Sequence, residues 1–146
     1  MPRKAKRQTI RRGRQCAALP FRQADGETQV MLVTSRETRR WVLPKGWTEK
    51  CGGAKQAERE AFEEAGIRGR ITPVPIGAYA YPKRLADGAT VTCKVEVFPL
   101  AVDELLEDWP EKSQRERRWF TLPQAAMAVD EGGLVTLMLN LAQPEA

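Results

Sequence analysis

The sequence predicts an α+β fold. Six stretches read as strands, one helix interrupts them midway, and two further helices close the chain. That order lacks the regular strand–helix alternation of a doubly wound parallel sheet. The apolar run Gln15–Phe21 predicts the first strand, and Gln23-Ala24-Asp25-Gly26 the turn after it. Val30–Thr34 reads as a buried strand and Arg40–Pro44 as a short third one. A helix is expected from about Ala54 to Ala65, stopped by Gly66. Ile71–Tyr81 and Thr90–Val102 read as two long strands with Asp87-Gly88 in the turn between them, and Arg115–Phe120 as a sixth strand. Thr121-Leu122-Pro123-Gln124 has the form of a capping box opening a helix. Gly132-Gly133 is expected to break that helix before another at Leu134–Leu141.

The composition narrows the chemistry. At 146 residues, with 42% hydrophobic and 29% charged side chains, the chain has the length of one domain with its own hydrophobic core. No apolar run reaches the ~18 residues of a membrane span, so no membrane partner is expected. None follows the basic N-terminus as in a secretory signal. The chain contains no histidine. This excludes Ser-His-Asp and Cys-His catalysis, imidazole zinc sites and His-held haem. Acid–base work falls to carboxylate, Lys, Tyr, Cys or metal-activated water. Cys16, Cys51 and Cys93 are widely spaced and form no CxxC. They predict free thiols in a reducing compartment, and hence a cytoplasmic location.

Charge divides the chain. Residues 1–14 hold seven of the 24 Lys and Arg residues and none of the 19 acidic ones, so the rest of the chain has a slight negative excess. Residues 1–13 are expected to be a basic, flexible tail and 14–146 the folded domain. The tail offers a surface for a polyanion, nucleic acid included, though nucleic acid is not the favoured partner.

Chemistry concentrates on the central helix. At about 100° per residue, Ala54, Ala57, Ala61 and Ala65 form a narrow stripe that lets the helix lie close to a sheet. Glu60, Glu63 and Glu64 share the adjoining wedge, so three carboxylates are expected beside the packed seam. Glu60 and Glu64 are a like-charge i,i+4 pair, which costs about 0.2–0.5 kcal/mol on an isolated helix. A divalent cation relieves that cost, and a hard oxygen set of this kind suits Mg²⁺. Arg59, four residues before Glu63, is placed to orient that carboxylate.

Arg59-Glu60-x-x-Glu63-Glu64-x-Gly66 followed by the apolar Ile67 resembles the helical half of the Nudix box, and Gly46 stands near the place of its leading glycine. The resemblance implies a Nudix fold, a mixed sheet sandwiched between helices (α/β/α). The sequence departs from the pattern in the loop before the helix. That loop is one residue shorter and has no Glu midway, with Glu49 and Glu58 out of register. Arg40-Trp41-Val42-Leu43-Pro44 is similar to the segment preceding the box in the diphosphoinositol polyphosphate and diadenosine polyphosphate phosphohydrolases. Leu106-Glu107-Asp108-Trp109 with Arg117-Arg118-Trp119-Phe120 is similar to their late signature.

This branch implies a metal-dependent hydrolase of phosphoanhydride bonds in a polyphosphorylated small molecule, using Mg²⁺ or Mn²⁺. Glu60, Glu64 and the backbone carbonyl of Lys45 would hold the metal. Glu63 would act as base or as a bridge to a second metal, and Arg59 would assist it. Arg14, Thr34, Ser35, Arg36 and Arg115 fall where the branch contacts substrate phosphates. Glu96 and Glu116 are the candidates for a carboxylate from outside the helix, and Tyr79 and Tyr81 for stacking on an adenine. Two other readings remain open. One is a Nudix pyrophosphatase acting on ADP-ribose, a nucleoside triphosphate or RNA 5′ ends. The other is a catalytically silent module that binds polyphosphate or RNA.

Overall fold

The computed structural model describes residues 12–48 and 53–141. Residues 1–11 of the basic tail and loop residues 49–52, including Cys51, lie outside the described residues. The strands are β1 (Arg12–Ala24), β2 (Glu27–Thr34), β3 (Trp41–Val42), β4 (Lys45–Trp47), β5 (Ile67–Ile71), β6 (Gly77–Arg84), β7 (Thr90–Leu105) and β8 (Arg117–Thr121). The helices are α1 (Gly53–Ala65), α2 (Leu122–Ala128) and α3 (Gly132–Leu141). All eight strands join one mixed sheet. β1 therefore takes up the last two residues of the expected tail.

β1 is the spine of the sheet. Its residues Arg12–Phe21 run parallel to β7. Its other edge is shared, with Gln15–Ala17 pairing antiparallel to β4 and Phe21–Ala24 antiparallel to β2. Between the two, the Ala18 amide donates to the Pro44 carbonyl at 3.0 Å. The β1–β2 hairpin closes on Asp25-Gly26, both at positive φ (55° and 78°), the conformation that Asp-Gly supplies to a two-residue turn.

Alternation along β1 produces two cores. Cys16 and Ala18 face α1, where they pack with Met31, Val33, Phe98, Leu100 and the stripe Ala57, Ala61 and Ala65. Ala17 and Leu19 face the opposite layer, with Val30, Leu32, Val95 and Val97 against α2 and α3. The helix–sheet–helix sandwich follows.

The C-terminus of α1 is closed by residues distant in sequence. A helix end leaves its last four carbonyls without helical donors. Here the Gly66 amide takes Phe62 O (2.9 Å), the Glu111 amide takes Glu63 O (3.0 Å), Trp109 Nε1 takes Glu64 O (3.0 Å) and Arg117 Nη1 takes Ala65 O (2.7 Å). Arg117 also donates to Leu106 O at 2.8 Å and lies 3.9 Å over the Trp109 ring. Trp109 and Arg117 thus lock the end of the glutamate-bearing helix. Arg117→Ala is expected to cost about 1–3 kcal/mol in urea unfolding by stranding two acceptors. Lys, which cannot reproduce the two-pronged donation, should not restore it.

Three sequence expectations change. The single strand Ile71–Tyr81 is two strands, β5 and β6, both paired with β7. Pro73 and Pro75 lack the amide a ladder needs, and the chain steps across the gap with Thr72 N on Pro99 O and Ile76 N on Val97 O. Arg40–Pro44 contracts to Trp41–Val42, and β4 follows as an unexpected strand on β1. Gly132-Gly133 opens α3 rather than breaking a helix, because α2 has already ended at Ala128. The capping box at Thr121 forms as expected, with reciprocal bonds to Gln124 of 3.2 and 3.0 Å.

Candidate active site

α1 sets its glutamates at graded depth. Glu64, next to the alanine stripe, is buried; Glu60 and Glu63 are half-buried; Arg59 is exposed. Glu60 lies against β4, where a Cβ at Gly46 would stand 2.2 Å from Glu60 Oε2. A larger residue here would displace the Glu60 carboxylate from this position. Gln56 Nε2 donates to the same oxygen at 2.6 Å.

The structure brings Glu60 and Glu64 together. Burial pushes the Glu64 carboxyl up to about 8; the Arg115 guanidinium opposes the shift, and the charge of Glu60 and a hydrogen bond with it add to it. Arg115 Nη2 is 3.6 Å from Glu64 Oε2, with both side chains under a tenth exposed. Arg115 Nε donates to Glu111 at 2.6 Å and Nη1 to the Thr34 carbonyl at 3.0 Å. The Glu116 amide in turn donates to Thr34 Oγ1 at 2.9 Å.

Several expected site residues take other places. Arg115 and the buried Thr34 are committed to this internal network rather than presented to a substrate. Arg59 makes no hydrogen bond or ion pair with a described residue, so the expected pairing with Glu63 is absent. Among the described residues no three acidic or cysteine side chains are arranged together to hold a metal ion, so the expected three-carboxylate cluster is a pair. The Glu63 carbonyl is bonded to the Glu111 amide. Ser35 hydrogen-bonds Thr38 at 2.5 Å, and the exposed Arg36 donates to Gln114 Oε1 at 3.2 Å. Arg14 is exposed on β1 opposite Lys94.

Of the two carboxylates sought outside the helix, Glu116 is exposed and lies 3.6 Å from Arg39. Glu96 pairs with Cys16 on the α1 side of the sheet. Burial, then Glu60 and then Glu96 push the Cys16 thiol up to about 11. Burial and these carboxylates disfavour the Cys16 thiolate, and both carboxylates lie within electrostatic reach of one atom. Tyr79 is buried against α3, and Tyr81 Oη donates to Gln15 at 2.8 Å. Glu111, which holds Arg115, was not legible in sequence, since it lies in an irregular charged loop.

The pair fits a divalent cation. Two adjacent carboxylates, one of them buried, crowd negative charge beside the Arg115 guanidinium and the Lys45 ammonium, and a divalent cation would offset it. Mg²⁺ commonly binds through one or two carboxylates, filling its remaining positions with water and phosphate oxygens.

No family model matches the chain. Among curated proteins it is 39% identical over 101 residues to "Nudix hydrolase 12, mitochondrial" of Arabidopsis thaliana, covering 66% of this chain and 50% of that protein. It is 36% identical over 121 residues to human diphosphoinositol polyphosphate phosphohydrolase 3-alpha, covering 77% of this chain and 66% of that protein. The chain belongs to the Nudix hydrolase family. It spans about half the length of the plant Nudix relatives it matches. Solved structures show the same Nudix fold at lower identity. The C. elegans Ap4A hydrolase has a TM-score of 0.65 at 18% identity, covering 90% of this chain and 97% of that one. The NUDIX domain of Shewanella oneidensis NrtR, complexed with ADP ribose, has a TM-score of 0.68 at 15% identity, covering 91% and 90%. Among the described residues no helix is long and apolar enough to cross a membrane.

Proposed function

We propose that this chain is a divalent-metal-dependent hydrolase of phosphoanhydride bonds in a polyphosphorylated small molecule, of the diphosphoinositol polyphosphate or diadenosine polyphosphate type. The observation that carries the proposal is the Glu60–Glu64 pair, set side by side beneath the side-chain-free Gly46. Relatives named as Nudix hydrolases and as diphosphoinositol polyphosphate phosphohydrolases support it.

In this reading Glu60 and Glu64, with the Lys45 carbonyl, hold Mg²⁺ or Mn²⁺. When bound, the ion supplies positive charge against the charge that develops on phosphoryl oxygens. Glu63, half-buried on the same helix, takes the proton of the attacking water. Water oxygen bonds to phosphorus, and the bridging oxygen leaves with the neighbouring phosphate. Arg59 engages Glu63 once substrate is bound. Arg14, Ser35 and Arg36 contact phosphate, while Arg115 and Thr34 keep Glu64 in place. Cytoplasmic residence belongs to the same reading, supported by the unpaired, buried Cys16 and Cys93.

The test is a melting experiment on protein stripped with EDTA. Metal that binds only the native site adds RT ln(1 + [L]/Kd) to stability. Wild type should melt several degrees higher in millimolar Mn²⁺ or Mg²⁺, and Glu60→Gln/Glu64→Gln should not respond. An unchanged wild-type melting point would count against the site.

A further inference from the structure

Gly46 turns its side-chain position toward Glu60, so Lys45 and Trp47 on either side of it project from the opposite face of β4. Trp47 is 48% exposed, the most open large aromatic among the described residues. Its six-membered ring lies across Gly13 of β1, where a Cβ would stand 2.4 Å from Cζ3 and 3.0 Å from Cη2. A side chain at position 13 would push the indole off this seat. Lys45 Nζ lies 5.4 Å from the centroid of the Tyr81 ring and has no hydrogen bond or ion pair with a described residue. Lys45 thus stands on the same face of β4 as the open indole, two residues from it. The floor is firm, because Tyr81 is hydrogen-bonded to Gln15, the residue paired with Trp47 across β1 and β4.

We propose that Trp47 and Lys45 form a nucleotide subsite, the indole stacking a nucleobase and the ammonium holding a phosphate of the same nucleotide. Residues two apart on a strand stand about 7 Å from each other, a separation that suits a base and a phosphate joined through one ribose. An aromatic platform accepts any base, because each has a π-face. An inositol ring has none and would leave Trp47 unused. The subsite therefore selects nucleoside polyphosphates over inositol pyrophosphates. It rests on the hydrolase reading above and divides that reading's two substrate types.

The experiment is equilibrium calorimetry with two ligands, inorganic tripolyphosphate and the β,γ-methylene analogue of ATP. Wild type should bind the analogue more tightly than tripolyphosphate. Trp47→Ala should weaken the analogue about tenfold, the scale of one stacked base, and leave tripolyphosphate unchanged; Trp47→Phe should recover most of the loss. Lys45→Met should weaken both ligands. Equal weakening of both ligands by Trp47→Ala, or no weakening of either, would overturn the subsite. Metal-dependent turnover of a diphosphoinositol polyphosphate alongside such a result would leave the hydrolase reading standing, and absence of turnover on any phosphoanhydride would remove that reading.

Discussion

Glu64→Gln should lower kcat/KM by about two to three orders of magnitude, the scale of removing one preorganised charged group at a reacting phosphoryl centre. The fold should survive, because Gln keeps the shape and the buried site loses a carboxylate it barely tolerates. A pH series without metal gives the second half of the result. In the folded chain Glu64 holds its proton up to about pH 8, whereas the unfolded chain releases it at the ordinary carboxylate value. Between these limits folding takes up a proton. Stability of the metal-free wild type should therefore be greatest at the acid end of the window and fall as pH rises toward 8. Glu64→Gln should flatten that slope. Full activity in the variant, or a wild-type slope of opposite sign, would remove Glu64 from the site.

Arg115→Ala should destabilise the protein by about 1–3 kcal/mol in urea unfolding, since it leaves the Thr34 carbonyl and the Glu111 carboxylate without their donor. The positional resemblance alone leads to a different outcome, a raised KM in a protein of normal stability. The geometry decides between them, with the guanidinium on Glu64, Glu111 and the Thr34 carbonyl and its side chain only 9% exposed. Arg36→Ala is the contrast. Arg36 is exposed and holds only Gln114, so stability should shift by no more than about 0.5 kcal/mol while KM for a polyphosphate rises.

Local signals carried much of this protein. The alanine stripe, the glutamates beside it, Gly66 after the helix, the Asp25-Gly26 turn and the Thr121 capping box are each set by residues within a few positions. All were readable from spacing and propensity. What was hidden depends on partners far away in sequence. Trp109 carries no local signal and Arg117 reads as part of a strand, yet their task is to satisfy carbonyls of a helix some 45–52 residues earlier. Arg115 carries the same charge whether it meets a substrate or a buried Glu64. The two-proline step between β5 and β6 was masked by the apolar residues around it, although Pro73 and Pro75 were the available signal. On the helix, angular spacing grouped Glu63 with Glu60 and Glu64. It could not show that β4 would arrive over Glu60, because Lys45–Trp47 is too short a strand to announce itself.

The most direct measurement is product analysis by ³¹P NMR on diadenosine pentaphosphate, a diphosphoinositol polyphosphate and ADP-ribose. Each is incubated with wild type and with Glu60→Gln/Glu64→Gln, in Mg²⁺, Mn²⁺ or EDTA. Cleavage of at least one long polyphosphate well ahead of ADP-ribose, abolished by EDTA and by the paired substitution, is the result this account predicts. Turnover that persists in EDTA, turnover undiminished in the double variant, or ADP-ribose as the best substrate would contradict it.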